Sequence, residues 1–336
     1  MVNSTNQPIV LVCAADDNYA MPLAVTVYSA LANLKNKQKK IVLFIIDGGI
    51  QPATKRRITE SIDSIGLEQL EISWVRPNES LIENLTLTRH FTIAVYYRLL
   101  IPQIIPKHFD KVIYLDSDLV VQGDLEQLWN IDIGDNYILA VQDYTQWYVS
   151  MAVGLRNYQE LGINPDYKYF NSGVLVINLA KWRTDNIPSK VVEYIEQNKD
   201  YVRDCDQDGL NVVLAEKWGE LDRRWNQMPR IYTYPSWQDS PYDEELYNKL
   251  LRQPHIVHFT NYPKPWQRGC EHPNTALFFQ YLDRTAWSGW RITLWRHAWI
   301  KAKKGTKKLW KFGKNISRAI QTNSGSGRAP QLAKDV

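Results

Sequence analysis

The stretch VIYLDSDLVV, residues 112–121, sets two carboxylates, Asp116 and Asp118, inside an otherwise apolar run. A buried, unpaired acid is costly, and two of them one residue apart need a reason. With Lys111 in front, KVIYLDSDLVV reads as a strand, and in an extended chain residues i and i+2 point to the same side. The two carboxylates would then converge on one point, where they repel unless a cation sits between them. Oxygen ligands suit Mg²⁺ or Mn²⁺, and such an ion usually shares its shell with substrate phosphates. The alternative is an edge strand carrying two solvated acids; the flanking VIYL and LVV argue against it.

Working outward, this strand is the fourth of a series. IVLVCAA (9–15) is a continuous apolar run ending in the polar DDNY, PLAVTVYSALANL (22–34) has helical periodicity, and IVLFIID (41–47) is a second strand closed by two glycines. PATKRRITESIDSIG (52–66) reads as a helix ending at Gly66, LEISWV (70–75) as a third strand, and the segment with YYRLLIP as a helix. Beyond the fourth strand come the strand-like ILAVQD (138–143) and NSGVLVINL (171–179), a helix over 185–198, and loops rich in Trp, Tyr and Pro from 218 to 268. Strands alternating with helices predict an α/β fold with a parallel sheet covered on both faces. Ligands bind beyond the carboxyl ends of such strands, so the acidic ends at Asp16-Asp17-Asn18 and Asp116-Ser117-Asp118 should open onto one crevice.

The bulk composition fits an enzyme of this size. The chain has 336 residues, with 13 Trp and 19 Tyr, enough aromatic side chains to line a site that stacks bases or sugars. Of its 40 basic side chains, 12 lie after residue 284, together with one of the 36 acids, so an acidic body carries a basic tail. Cys13, Cys205 and Cys270 are odd in number and widely spaced, which suits neither a metal knuckle nor a disulfide framework and points to a reducing cytoplasm. The N-terminal MVNSTNQPIVLVCAADD lacks the features of a signal peptide.

D-x-D after an apolar strand is used by haloacid dehalogenase-like phosphatases and by nucleotide-sugar glycosyltransferases. The phosphatase motif sits on a first strand, which disfavours it for a motif at residue 116. Seven stretches in order then carry a closer resemblance: VCAADDNYA (12–20), AVYYRLLIP (94–102), VIYLDSDLVVQGDLEQLW (112–129), YFNSGVLVINLAKWR (169–183), DCDQDGLN (204–211), RWNQMP (224–229) and VHFTNYPKPW (257–266). Over about residues 8–285 the chain resembles the family 8 retaining glycosyltransferases, among which it is most similar to bacterial lipooligosaccharide galactosyltransferases. That resemblance implies one nucleotide-sugar-transferase domain of the GT-A type over residues 1–284, with a mixed, mostly parallel sheet flanked by helices.

The resemblance also implies roles. Asp116, Asp118 and His258 match the metal ligands, for Mn²⁺ or Mg²⁺; from the residues alone, His258 reads more readily as a core histidine, as His255 is expected to be. Ala14, Asp16, Asn18 and Tyr19 match the uridine loop, with Ser117 in the donor site between the two acids. Asn261 and Lys264 match the diphosphate contacts, although Asn261 stands where relatives usually have Gly. Arg98, Asn171, Asp206 and Gln207 match residues that hold the donor sugar, and Asp206 and Gln207 lie where the reacting centre would form. His90 and Asp143 match acceptor positions. The implied partners are a UDP-hexose and a glycan or glycolipid acceptor. The remaining alternatives are the phosphatase and a non-catalytic nucleotide-sugar-binding membrane protein.

In the tail, residues 287–320 hold ten basic residues and no acid. At 100° per residue, Ile292, Trp295, Trp299, Ala302, Leu309 and Trp310 share a sector of about 100°. That pattern predicts an interfacial helix on an anionic membrane, from a break near residue 284 to about 320. No nucleic-acid partner is expected. Residues 321–336 are expected to be disordered. The protein is thus expected on the cytoplasmic face of the membrane as a peripheral enzyme.

Overall fold

The computed structural model describes residues 7–87 and 92–293. The chain divides into a body, formed by the residues up to Pro265 with Gly269–Trp290, and a second unit of Trp266–Arg268 with the residues from Arg291 onward. The architecture that follows is that of the body.

Among the described residues nine strands occur in chain order: β1 (Ile9–Ala15), β2 (Ile41–Asp47), β3 (Leu70–Val75), β4 (Lys111–Leu115), β5 (Leu119–Val121), β6 (Ile138–Gln142), β7 (Phe170–Asn178), β8 (Trp218–Glu220) and β9 (Ile256–His258). Seven form one sheet in the order β3-β2-β1-β4-β7-β6-β8. The pairs among β3, β2, β1 and β4 are parallel, as is β6 with β8, whereas β7 runs antiparallel to both β4 and β6. The sheet is therefore mixed and mostly parallel. Every residue of β1 and β2 is buried, as their unbroken apolar runs require of strands covered on both faces.

The predicted fourth strand is two strands. β4 stops at Leu115, the chain bends through Ser117 and Asp118, and β5 leaves the main sheet to pair antiparallel with β9. The periodicity of VIYLDSDLVV does not show this break because both halves are apolar and buried; what divides them is β9, whose IVH lies 135 positions downstream in Leu119↔His258 register. The other edge of β5 is covered by side chains of the helix Ala20–Ala32 and its cap. Thr26 Oγ1 exchanges hydrogen bonds with the Leu119 backbone at 2.9 and 3.1 Å, Ser29 Oγ accepts from Val121 N at 2.9 Å, and Asn33 Nδ2 donates to Val121 O at 2.8 Å. These groups stand in for a neighbouring strand.

Other boundaries shift by less. The first helix spans Ala20–Ala32 rather than 22–34, with Pro22 in its first turn, and the second ends at Asp63, three residues before Gly66 at φ +72°. YYRLLIP lies in a 3₁₀ segment, Ile93–Leu100, followed by the short helix Ile101–Ile104. The helix expected over 185–198 runs from Ile187 to Gln197; a short helix that was not expected, Leu179–Thr184, precedes it, and Asn186, left-handed at φ 49°, stands between the two. His90 and the tail beyond Thr293 lie outside the described residues.

Candidate active site

The end of β4 and the end of β9 meet through the small sheet. Because Leu119 is the register partner of His258, the imidazole falls beside the Asp116-Ser117-Asp118 bend. His258 Nε2 lies 3.2 Å from Asp118 Oδ1 and 4.0 Å from Asp116 Oδ2. One ligand atom from each of the three lies within 4.8 Å of the others. The sequence expectation of convergence holds, but through a bend between two sheets and not through alternation along one strand.

Two cations brace the carboxylates. Arg98, 4 % exposed, donates from Nη2 to Asp116 Oδ1 at 2.9 Å and from Nη1 to the Ser172 hydroxyl at 2.6 Å and its carbonyl. Its Nε lies 2.8 Å from Asp206 Oδ2, a close ion pair without hydrogen-bond alignment. Tyr114 OH also donates to Asp116 Oδ1, at 2.8 Å. Lys264, likewise buried, donates from Nζ to Asp118 Oδ2 at 2.7 Å and to the carbonyls of Phe259 and Thr260 at 2.5 and 3.1 Å. Burial would raise the Asp118 carboxyl, but Lys264 and His258 outweigh it and hold the group well below the usual carboxylate range.

The loop after β1 closes one side. Asp16 Oδ1 accepts the backbone N–H groups of Asn18 and Tyr19 at 2.9 and 3.1 Å, while Oδ2 accepts from Asn18 Nδ2 at 3.0 Å. Ser117 Oγ donates to Ala14 O at 2.6 Å and ties this loop to the acidic bend. The two acidic loops are therefore neighbours, joined by this bond. Burial and the nearby charges of Asp118, Asp16 and Asp116 push the Tyr19 phenol upward.

The opposite side is the start of the helix Asp206–Val213. Asp206 is 1 % exposed; burial pushes its carboxyl up to about 7, Arg98 works against this and Asp116 adds to it. Gln207 Oε1 accepts from Ser172 N at 2.9 Å. Asp208, the third acid of DCDQD, has a supporting role: its oxygens accept from Tyr169 OH at 2.6 Å and from the N–H groups of Arg203 and Asp204 at 2.7 and 3.0 Å.

Two expected site residues are engaged with the protein itself. Asn171 donates from Nδ2 to Asp143 Oδ2 at 3.0 Å, and its Oδ1 accepts from Gly173 N at 3.0 Å and Asn226 Nδ2 at 2.9 Å. Asp143, 5 % exposed, also accepts from the N–H groups of Thr145 and Gln146. Asn261 is exposed and has no positive φ; among the described non-glycine residues only Asn186, Cys205 and Glu216 do, so this backbone does not need glycine at 261. It lines a cavity of about 350 Å³ together with Tyr232, Thr233, Tyr262, Glu271 and His272. His255, half-buried, packs on the Trp225 ring at 4.4 Å, in keeping with its expected structural role.

Two residues that the sequence reading did not single out shape the centre. A Cβ at Gly173 would lie 2.3 Å from His258 Cε1 and 2.8 Å from Asp116 Oδ2, so only glycine lets the ligands meet over β7. Asn226 Oδ1 lies 2.8 Å from His258 Nδ1. Both stand inside motifs visible in the sequence, NSG and RWN, but neither residue type announces a role by itself.

Comparison with known proteins agrees with this geometry. The sequence model of "Glycosyl transferase family 8" matches residues 10–270. General stress protein A of Bacillus subtilis (strain 168) is 33 % identical over 281 residues, covering 83 % of this chain and 94 % of that one. A lipopolysaccharide 1,2-glucosyltransferase of Escherichia coli K12 is 26 % identical over 285 residues, covering 84 % and 80 %. The crystal structure of the galactosyltransferase LgtC, in complex with donor and acceptor sugar analogs, superposes with a TM-score of 0.69 at 31 % identity, over 86 % of this chain and 99 % of that one. The mixed sheet is thus a GT-A type fold, and the chain is a retaining glycosyltransferase that belongs to glycosyl transferase family 8.

Proposed function

We propose that this protein is a metal-dependent hexosyltransferase that moves galactose or glucose from a UDP-sugar to a hydroxyl of a glycolipid or polysaccharide acceptor. The observation that carries the reading is the convergence of Asp116, Asp118 and His258, with one ligand atom of each within 4.8 Å of the others. Two carboxylates and an imidazole suit Mn²⁺, and also Mg²⁺. The glycine cradle at position 173 fits the same purpose, since it leaves room for His258 and Asp116 on one side of the site. Asp116, Asp118 and His258 would hold the ion, which when bound would neutralise the diphosphate of the leaving nucleotide.

The chain's own residues do the rest. Ala14, Asp16, Asn18 and Tyr19 form the base-binding loop, and Ser117 keeps that loop in register with the acidic bend. Lys264 places a buried ammonium beside Asp118, where its positive charge can stabilise the departing diphosphate, with Asn261 three residues before it. Arg98 fixes Asp116 and Asp206 together. In the reaction the bond from the anomeric carbon to the diphosphate oxygen breaks, and the acceptor oxygen bonds to that carbon on the same face. The acceptor proton passes to a base, which in a front-face route is the leaving phosphate oxygen. A double displacement needs a nucleophile on the opposite face. Asp206 is 1 % exposed and held by Arg98, which favours sugar positioning over attack. Tyr232, Tyr262 and Glu271 give the neighbouring cavity ring faces and a hydrogen-bonding carboxylate suited to a sugar acceptor.

The reading is supported by relatives named as a lipopolysaccharide glucosyltransferase and a galactosyltransferase, which between them cover the two hexoses. The basic, Trp-rich segment 287–320 would hold the enzyme on an anionic membrane surface at the cytoplasmic face, near a lipid-linked acceptor. Among the described residues no helix is long and apolar enough to cross a membrane. The decisive experiment is UDP release from UDP-glucose and from UDP-galactose, each with Mn²⁺ and with EDTA. Metal-dependent release from one donor is expected. No release from either, together with no metal-dependent UDP binding, overturns the proposal. Full-length protein should also sediment with anionic vesicles and lose that property when residues 291–336 are removed.

A further inference from the structure

The His258 imidazole is held from the side facing away from the carboxylates. Asn226, at the end of the 3₁₀ turn Arg223–Asn226, places Oδ1 2.8 Å from His258 Nδ1. Asn226 Nδ2 donates to Asn171 Oδ1 at 2.9 Å, and Asn171 Nδ2 donates to Asp143 Oδ2 at 3.0 Å. The four side chains are each at most 7 % exposed, so water does not compete for these bonds.

The direction of the run is set from its far end. A carboxylate only accepts. Asp143 Oδ1 takes the N–H groups of Thr145 and Gln146 at 2.7 and 3.2 Å, and Oδ2 meets the amide NH₂ of Asn171. The Asn171 oxygen then points the other way, where the backbone N–H of Gly173, a donor only, reaches it at 3.0 Å. Asn226 must therefore turn its NH₂ toward Asn171 and its oxygen toward His258. An oxygen opposite Nδ1 requires a proton on Nδ1. The lone-pair nitrogen is then Nε2, which lies 3.2 Å from Asp118 Oδ1 and 4.0 Å from Asp116 Oδ2.

We infer that Asp143, Asn171 and Asn226 are positioning residues, a buried relay that fixes the tautomer and ring plane of His258 so that Nε2 is the nitrogen offered to the metal. Asp143 thus acts on the donor side of the site from behind, through two amides. The inference rests on the metal reading of Asp116, Asp118 and His258. Outer-shell partners of this kind typically change metal affinity 10–100-fold when removed.

The test measures Mn²⁺ dissociation constants of the full chain without nucleotide, from the electron paramagnetic resonance signal of free Mn²⁺. Asn226→Leu removes the acceptor opposite Nδ1 and should weaken binding by about 10–100-fold. Asn226→Asp keeps that acceptor and should bind at least about tenfold more tightly than Asn226→Leu. Asp143→Asn preserves the oxygen that caps the Thr145–Gln146 turn but sets NH₂ against NH₂ at Asn171; it should weaken Mn²⁺ binding although Asp143 does not touch the trio. Parent-like affinity in both folded Asn226→Leu and Asp143→Asn overturns the relay. A readout on the parent covers the case in which a variant does not fold. With ¹⁵N-labelled histidine and saturating Mg²⁺, His258, assigned through its loss in His258→Gln, should carry its proton on Nδ1; a proton on Nε2 overturns the inference. A parent that binds no Mn²⁺ overturns the metal reading itself, a separate failure.

Discussion

Gly173 packs against His258 so closely that a Cβ at position 173 would lie 2.3 Å from the imidazole Cε1. The same Cβ would stand 2.8 Å from Asp116 Oδ2, so two of the three proposed ligands would have to move. Gly173→Ala should therefore weaken Mn²⁺ binding by at least tenfold and reduce metal-dependent UDP release in proportion. Overpacking of this kind also lowers stability by about 1–3 kcal/mol. Calorimetric Mn²⁺ titration together with a urea melt separates the two effects. Unchanged metal affinity in a folded variant would mean that His258 and Asp116 do not act as ligands from these positions.

Asp206 sits between Arg98 and the helix that begins with it, and burial pushes its carboxyl from 3.8 up to about 7. Asp206→Asn should cut transfer by about 100-fold or more, a positioning loss of roughly 2.7 kcal/mol or greater, while Mn²⁺ and UDP still bind. Unchanged turnover would remove Asp206 from the site. A stability signature accompanies the kinetic one. Between pH 3.8 and about 7 the folded state keeps a proton that the unfolded chain has lost. The contribution is present in acid and disappears as pH rises through that window. Asn mimics the protonated form, so the variant should lose less stability than the parent between pH 4 and 7.

How much of this was legible in the sequence differs from residue to residue. β1 and β2 were readable to the residue because IVLVCAA and IVLFIID are buried on both faces and closed by polar turns. The break between β4 and β5 was not, since its cause is tertiary: a three-residue strand, Ile256–His258, in a stretch with no periodicity of its own. Asp116 and Asp118 were legible as chemistry because adjacent acids in an apolar run demand a cation. His258 was not, because a lone histidine among apolar residues is more often a core side chain; the resemblance alone marked it. Gly173 and Asn226 were silent for a different reason. Their roles are distances to His258, and no residue type encodes a distance to a partner 32 or more positions away.

Lys264 and Asp118 form a buried pair at 2.7 Å. Removing one partner of such a pair leaves an uncompensated charge and typically costs about 3–5 kcal/mol. Lys264→Met should accordingly melt well below the parent in EDTA. A divalent ion at the trio would resupply the missing positive charge, so saturating Mn²⁺ should raise the Tm of Lys264→Met by more than it raises that of the parent. Donor turnover should fall all the same, because the ammonium proposed to face the diphosphate is gone. Equal Mn²⁺ shifts in parent and variant would show that the ion does not reach Asp118.

His272 gives a pH dependence of the opposite sign to that of Asp206. Its Nδ1 accepts from Asn274 N at 3.1 Å, and its Nε2 is buried with no hydrogen-bond partner among the described residues; the ring packs edge-on to Phe259 and Tyr232, at centroid distances of 4.7 and 5.4 Å. Burial, then the nearby Lys264 and His258, push the imidazole from 6.5 down to about 4. As pH falls below 6.5 the unfolded chain takes up a proton that the folded protein refuses until about 4. Stability due to this group is therefore full above 6.5 and is lost across the window from 6.5 to 4. His272→Gln can still accept from Asn274 N but does not titrate. Urea melts at pH 7 and pH 5 should show a smaller acid loss in the variant than in the parent, and equal losses would reject the assignment. Because His272 lines the cavity beside Asn261 and Tyr262, the same substitution should shift acceptor KM more than donor KM if that cavity receives the acceptor.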